Sequence, residues 1–148
     1  METAFQIANT LVLPQWFLMI FAPHWRITLW LVRSYLTPVL LACLYAYFIF
    51  SGGPLNFEDF GSLAGVKNLF AKGGDAAVLA GWIHYLAFDL VAGSFVLQDA
   101  QAKRIAHGWI VLPLFFCFML GPIGLLLYWI IRTTKHFYSK NSIQIEQI

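Results

Sequence analysis

Asp89 is the residue from which any chemistry in this chain has to be read. It lies within a few residues of the midpoint of an apolar run at about 76–97. A carboxylate at the centre of a membrane helix costs about 2.5–3.5 kcal/mol on insertion scales, and such residues face a bundle interior or a hydrated cavity. In its acid form the group can serve as a general acid; the structural alternative is a buried Asp that bonds a neighbouring helix. On an ideal helix Trp82, Tyr85, Asp89, Ala92, Gly93 and Val96 share one face, by the i, i+3, i+4 rule. Tyr85 then stands beside Asp89 within hydrogen-bonding reach, and Ala92 and Gly93 allow close helix approach. His84, five positions before Asp89, is rotated about 140° away. Asn9 and Tyr45, from two other apolar runs, match the depth of this group. Asn9, Tyr45, His84, Tyr85 and Asp89 are therefore expected to form a polar belt.

A second polar group gathers between the apolar runs: Asp99, Lys103, Arg104 and His107, with His24 and Arg26 from an earlier connection. Loop charges at a membrane surface are ordinary. Asp99 and His107 are the two of this set with chemistry to offer.

The elements that must position these residues follow from composition. Of 148 residues 60% are hydrophobic and 11% charged, with a mean hydropathy of +0.72. Soluble domains run at about 45–50% apolar and about a quarter charged, so an all-α integral membrane protein is expected. A disordered chain, a nucleic-acid-binding domain and a disulfide scaffold are excluded on composition. Net charge is only +2, and Cys43 and Cys117 both lie within apolar runs. A span needs about 20 apolar residues. Four segments qualify, roughly 3–22, 34–51, 76–97 and 108–131, as a single domain over 1–136 with a polar tail at 137–148. Four spans put both termini on one side (side A), and the 23–33 and 98–107 connections on the other (side B). The first span lacks a basic n-region and reads as a retained helix. Lys67, Lys72, Arg132, Lys135 and Lys140 fall on side A against Arg26, Arg33, Lys103 and Arg104 on side B, which sets no orientation.

Gly52-Gly53-Pro54 breaks the second helix. Asn56 is placed to cap a short interfacial helix over about 57–71, which Gly73-Gly74 ends, and Asp75 is a natural cap for the third span. Pro14, Pro38, Pro113 and Pro122 each remove a helical hydrogen bond, so kinked helices around a straight third span are expected.

Cofactor chemistry finds no motif. Four scattered histidines without HxxxH or HxxHH do not make a di-iron site. His84 and His107 are too far apart in depth to share a haem. Every lysine lies outside the spans, which excludes a retinal Schiff base, and no phosphate loop, dinucleotide fingerprint or nucleophile elbow occurs. Neither a metal nor another cofactor is expected. The 14 phenylalanines, six tryptophans and six tyrosines form an interfacial belt in part (Trp16, Trp25, Trp30, Trp109, Trp129). They would also suit an apolar ligand.

The run from Gly81 through Trp82, His84, Tyr85, Phe88 and Asp89 to Leu90, followed by Asp99-Ala100, His107 and the segment Gly121-Pro122-Ile123-Gly124-Leu125-Leu126-Leu127-Tyr128, resembles the abscisic-acid-deficient-four family. The likeness is close over about 78–132 and is one of hydropathy over the first two spans. Members are small four-helix membrane proteins, and those of plants are implicated in neoxanthin synthesis. The resemblance implies a redox-neutral isomerisation of a carotenoid or related isoprenoid, in which an epoxide opens and an allene forms. On it, Asp89 would be the acid, Tyr85 its hydrogen-bond partner and His84 a base or proton relay. Trp82, Tyr45, Asn9 and Phe88 would contact the substrate. The alternative is a carotenoid- or lipid-binding or accessory protein in which Asp89 and His84 pin helices. Membrane lipid and a carotenoid or isoprenoid are the expected partners, with no nucleic acid. A thin bundle cannot enclose a C40 chain, so an open groove or a homo-oligomeric interface is expected, in a bacterial inner membrane or, for a mature eukaryotic chain, a plastid membrane.

Overall fold

The computed structural model describes residues 1–51 and 56–145, with side chains up to 135. Everything regular in it is helical: α1 (Glu2–Phe21), α2 (Arg26–Ser34), α3 (Leu36–Ser51), a 3-10 turn (Phe57–Gly61), α4 (Leu63–Ala102), α5 (Gly108–Leu120) and α6 (Pro122–Ile145). Among the described residues α1 and α4 are long and apolar enough to cross a membrane; α2 and α3 qualify only if counted together as one bent span. The expected break at Gly52-Gly53-Pro54 falls largely outside the described residues. So do the side chains of the tail, although α6 runs helically to Ile145.

Chain contacts group the residues into two compact units, Met1–Pro14 with Leu36–Phe88, and Gln15–Tyr35 with Asp89–Ile148. In the first, Asn56 caps the 3-10 turn, its Oδ1 accepting from Glu58 N at 3.2 Å. The chain then restarts at Leu63, where Ser62 Oγ accepts from Gly65 N at 3.0 Å. One continuous helix over 57–71 is thus replaced by a turn and a helix with its own cap. α4 breaks where the glycine pair foretold: Gly74 has φ 52° and ψ −141°, a conformation that glycine adopts without steric cost. The bend returns Phe70 to the later half of α4, and a Cβ on Gly81 would lie 3.2 Å from its ring.

The second unit departs from expectation twice. The 23–33 connection is in large part helix α2, which buries Thr28 and Val32. Thr28 Oγ1 donates to Ala22 O at 2.7 Å, and Tyr35, left-handed at φ 53°, ends the helix. Its two arginines make it a poor span, which is why hydropathy read it as a loop.

The larger departure concerns 108–131. These residues are not one helix but a helical hairpin. α5 ends at Gly121 (φ 29°, ψ −83°), whose N–H donates to Cys117 O at 3.1 Å. Pro122 cannot continue α5, yet suits the first position of a new helix. α6 then runs back along α5. A side chain on Gly124 would strike Pro113 O and the Cys117 backbone, with Cys117 Sγ 2.6 Å away. Lys135 Nζ lies 4.4 Å from the centre of the Trp109 ring. Pro113 and Gly124 would be about 16 Å apart on a straight helix. Arg132 and Lys135, placed on side A by the four-span reading, instead sit by Asp99 and Trp109, at the 98–107 end. Pro14 and Pro113 lie inside continuous helices, whereas Pro122 follows the break at Gly121 and Pro38 lies in the first turn of α3, just after the break at Tyr35.

Candidate functional site

Asp89 is 6% exposed on the late half of α4. The hairpin turn comes to it: a Cβ on Gly121 would overlap Asp89 Oδ1, with Cγ 2.9 Å away. Only a residue without a side chain lets the carboxylate approach this closely, and the same residue takes the positive φ that reverses the chain. One helical turn further along α4, Gly93 receives the Trp16 ring, whose Cζ3 would be 2.6 Å from a Cβ there. Trp16 in turn meets Phe118 of α5, centroids 5.5 Å apart. This close approach at Gly93 is the one expected from its lack of a side chain. Beside it Gln15, 1% exposed, donates to Ser94 Oγ at 3.2 Å.

Two of the expected depth matches are contacts, both in the first unit. Asn9 bridges: its Nδ2 donates to Phe5 O at 2.7 Å and its Oδ1 accepts from Trp82 Nε1 at 3.2 Å. Trp82 stacks on Tyr85, centroids 5.7 Å apart, and meets Phe5 at 5.9 Å. His84 lies between Tyr45, at 5.4 Å, and Phe88, at 4.6 Å. Phe88 is 62% exposed and His84 is exposed as well, so this aromatic trough opens outward. Within the first unit the belt residues thus include an Asn9–Trp82–Tyr85 stack and a Tyr45–His84–Phe88 trough.

Asp99 is the hub of a network. It accepts from Tyr128 Oη at 2.5 Å, from Arg132 Nε at 3.1 Å and pairs with Lys103 Nζ at 3.3 Å. Tyr128 is fully buried, and Phe95 packs edge-on to its ring at 6.3 Å. His107 is elsewhere: its Nε2 lies 2.8 Å from Ile20 O, and Gln101 Nε2 donates to Pro23 O at 3.0 Å. The two side B residues therefore belong to separate arrangements.

Sequence reasoning missed Gly121, Tyr128, Arg132 and Gln98. The amide of Gln98 contacts Tyr35 Oη at 3.1 Å and the carbonyls of Val32 and Ser94 at 3.3 Å, tying α2 to α4. Tyr128 and Arg132, four apart on α6 with Asp99 available, carried a signal that the four-span reading hid by placing Arg132 and Asp99 on opposite sides. Among the described residues no three His, Cys, Asp or Glu side chains come together to hold a metal.

No solved structure matches the chain. It is 28% identical over 148 residues to "Protein ABA DEFICIENT 4, chloroplastic" of Arabidopsis thaliana, which covers 94% of this chain and 61% of that protein. The chain thus spans about three-fifths of the length of that relative. The ABA DEFICIENT 4-like family model matches residues 3–128. With the helical architecture and nearly the whole chain accounted for, this protein belongs to the ABA DEFICIENT 4-like family.

Proposed function

We propose that this chain is an integral membrane isomerase that acts, without a cofactor, on a carotenoid or related isoprenoid, with Asp89 as its acid. One observation carries the reading: a carboxyl group 6% exposed, on a helix apolar enough to cross a membrane, at the turn of a helical hairpin. Family membership supports the substrate class. The acid donates its proton to the epoxide oxygen as the C–O bond breaks, which leaves a hydroxyl. A base removes the ring-adjacent proton, and the electrons of that C–H bond form the new double bond of the allene. Atoms and electrons balance with no oxidant or reductant. His84 is the base or relay in this scheme and Tyr85 the partner of the acid, while Trp82, Tyr45, Asn9 and Phe88 supply contacts to the polyene. The outward-facing Tyr45–His84–Phe88 trough suits a ligand that arrives from lipid.

In the bilayer α1 and the late half of α4 would span, and α2 with α3 would form one broken span. α5, about 20 Å long, is too short for a core of about 30 Å, so the α5–α6 hairpin would enter and return. Plastid and bacterial inner membranes both suit this arrangement.

A second reading has its own observation. The overlap of Asp89 with the Gly121 position favours a structural pin in a carotenoid- or lipid-binding accessory protein. Pigment chromatography with mass detection tests the first reading, in hosts that accumulate β-carotene, zeaxanthin or violaxanthin. A new isobaric peak relative to the empty vector is expected; three unchanged profiles with the protein present in the membrane would overturn it.

A further inference from the structure

Beside the α4–α5 connection lies a half-enclosed cavity of about 380 Å³, lined by His24, Gln101, Ile105, Ala106, His107 and Ile110. That volume lies in the lower part of the range for ligand pockets. Its polar side chains are those of His24, Gln101 and His107. His107 Nε2 is 2.8 Å from the Ile20 carbonyl, an oxygen that can only accept, so Nε2 carries the proton. The other ring nitrogen, Nδ1, is buried and has no hydrogen-bond partner among the described residues. Gln101 donates one amide N–H to Pro23 O, which leaves its Oε1 as an acceptor and its second N–H as a donor. No Asp, Glu, Lys or Arg side chain lines the cavity, and three of its six lining residues are apolar. A hydroxyl, which both donates and accepts, can meet the unpartnered His107 Nδ1 and the Gln101 amide together.

We propose that this cavity binds the hydroxyl-bearing end of an otherwise apolar membrane molecule, its O–H donating to the His107 or Gln101 acceptor and its hydrocarbon lying against Ile105 and Ile110. The cavity stands where polar loop meets apolar helix. Lys103 and Arg104 precede it, and the exposed Trp109 follows, which is the depth at which a hydroxylated end would rest. Two sources share this chemistry: a hydroxylated carotenoid ring, which rests on the function proposed above, and the sugar headgroup of a neutral glycolipid, which does not.

The test uses the full chain in phosphatidylcholine nanodiscs, with retained ligand measured after gel filtration. The probes are zeaxanthin, β-carotene (the same skeleton without hydroxyls) and galactosyl diacylglycerol. At least ten-fold preference for zeaxanthin over β-carotene is expected, lost in His107→Leu. Because His107 also holds Ile20, Ala106→Phe, which fills the cavity and leaves that bond intact, must lose the same preference. Retention of the galactolipid alone, sensitive to Ala106→Phe, would keep the hydroxyl site and overturn the carotenoid reading. Equal retention of both pigments, or hydroxylated probes indifferent to both substitutions, would overturn the site.

Discussion

The carboxylate of Asp89 stands where a side chain on Gly121 would be. The two residues are 32 positions apart in sequence, and their meeting explains both of them. A polar group buried on an apolar helix needs partners, and the chain reversal at Gly121-Pro122 brings backbone to it. Only glycine serves both the reversal and the approach.

Replacement of Gly121 by Ala should therefore displace the carboxylate and destabilise the protein in detergent by about 1–3 kcal/mol, the usual range for overpacking. Part of that loss belongs to the positive φ and part to Asp89. A double-mutant cycle with Asp89→Ala separates them: Gly121→Ala should cost clearly less in the Asp89→Ala background. Strict additivity would mean that the two residues do not interact.

Gly124 has a different task. Its missing side chain lets α6 lie on the α5 backbone at Pro113 and Cys117, neither of which can move aside as a rotamer would. Gly124→Val should lower the melting temperature more than Gly108→Val, since nothing lies within 4 Å of a Cβ on Gly108. Equal melting of the two variants would argue against the hairpin.

In the proposed membrane arrangement the hairpin sets the topology. Thr134 should share a membrane side with Lys103, and Thr3 should lie on the other. Single cysteines at these three positions, in a Cys43→Ser background with Cys117 left buried, can be labelled in sealed vesicles with an impermeant maleimide. Labelling of Thr134→Cys together with Lys103→Cys is expected. Labelling together with Thr3→Cys would restore four straight spans.

At the hub, Tyr128→Phe removes the hydroxyl that donates to Asp99 and leaves the Arg132 and Lys103 contacts. Loss of a hydrogen bond to a charged group costs about 1.5–3 kcal/mol. Thermal melts should show a loss in that range, whereas Lys103→Ala, which breaks a pair with an exposed lysine, should cost less than about 1 kcal/mol. The reverse order would contradict the network.

Much of this was legible in the residues themselves. The cap at Asn56, the break at Gly73-Gly74, the close approach at Gly93 and the depth match of Asn9 with α4 all follow from local chemistry and helical spacing. The hairpin did not, because hydropathy along 108–131 is the same whether the apolar run crosses once or folds back. Its signal was steric: a Gly-Pro pair inside the run, a second glycine at 124, and an Arg and a Lys that only a reversal brings to Asp99 and Trp109. α2 escaped for the converse reason, since Arg26 and Arg33 made a helix look like a loop.

The central claim is that Asp89 performs chemistry and does more than pin the hairpin. It is tested most directly by measuring product formation and thermal stability together, for the wild type and Asp89→Asn inserted at equal levels in a host that yields the isobaric product. The account predicts that product falls by at least a hundred-fold while the melting temperature stays within a few degrees. Undiminished product from a variant that melts markedly lower would contradict it.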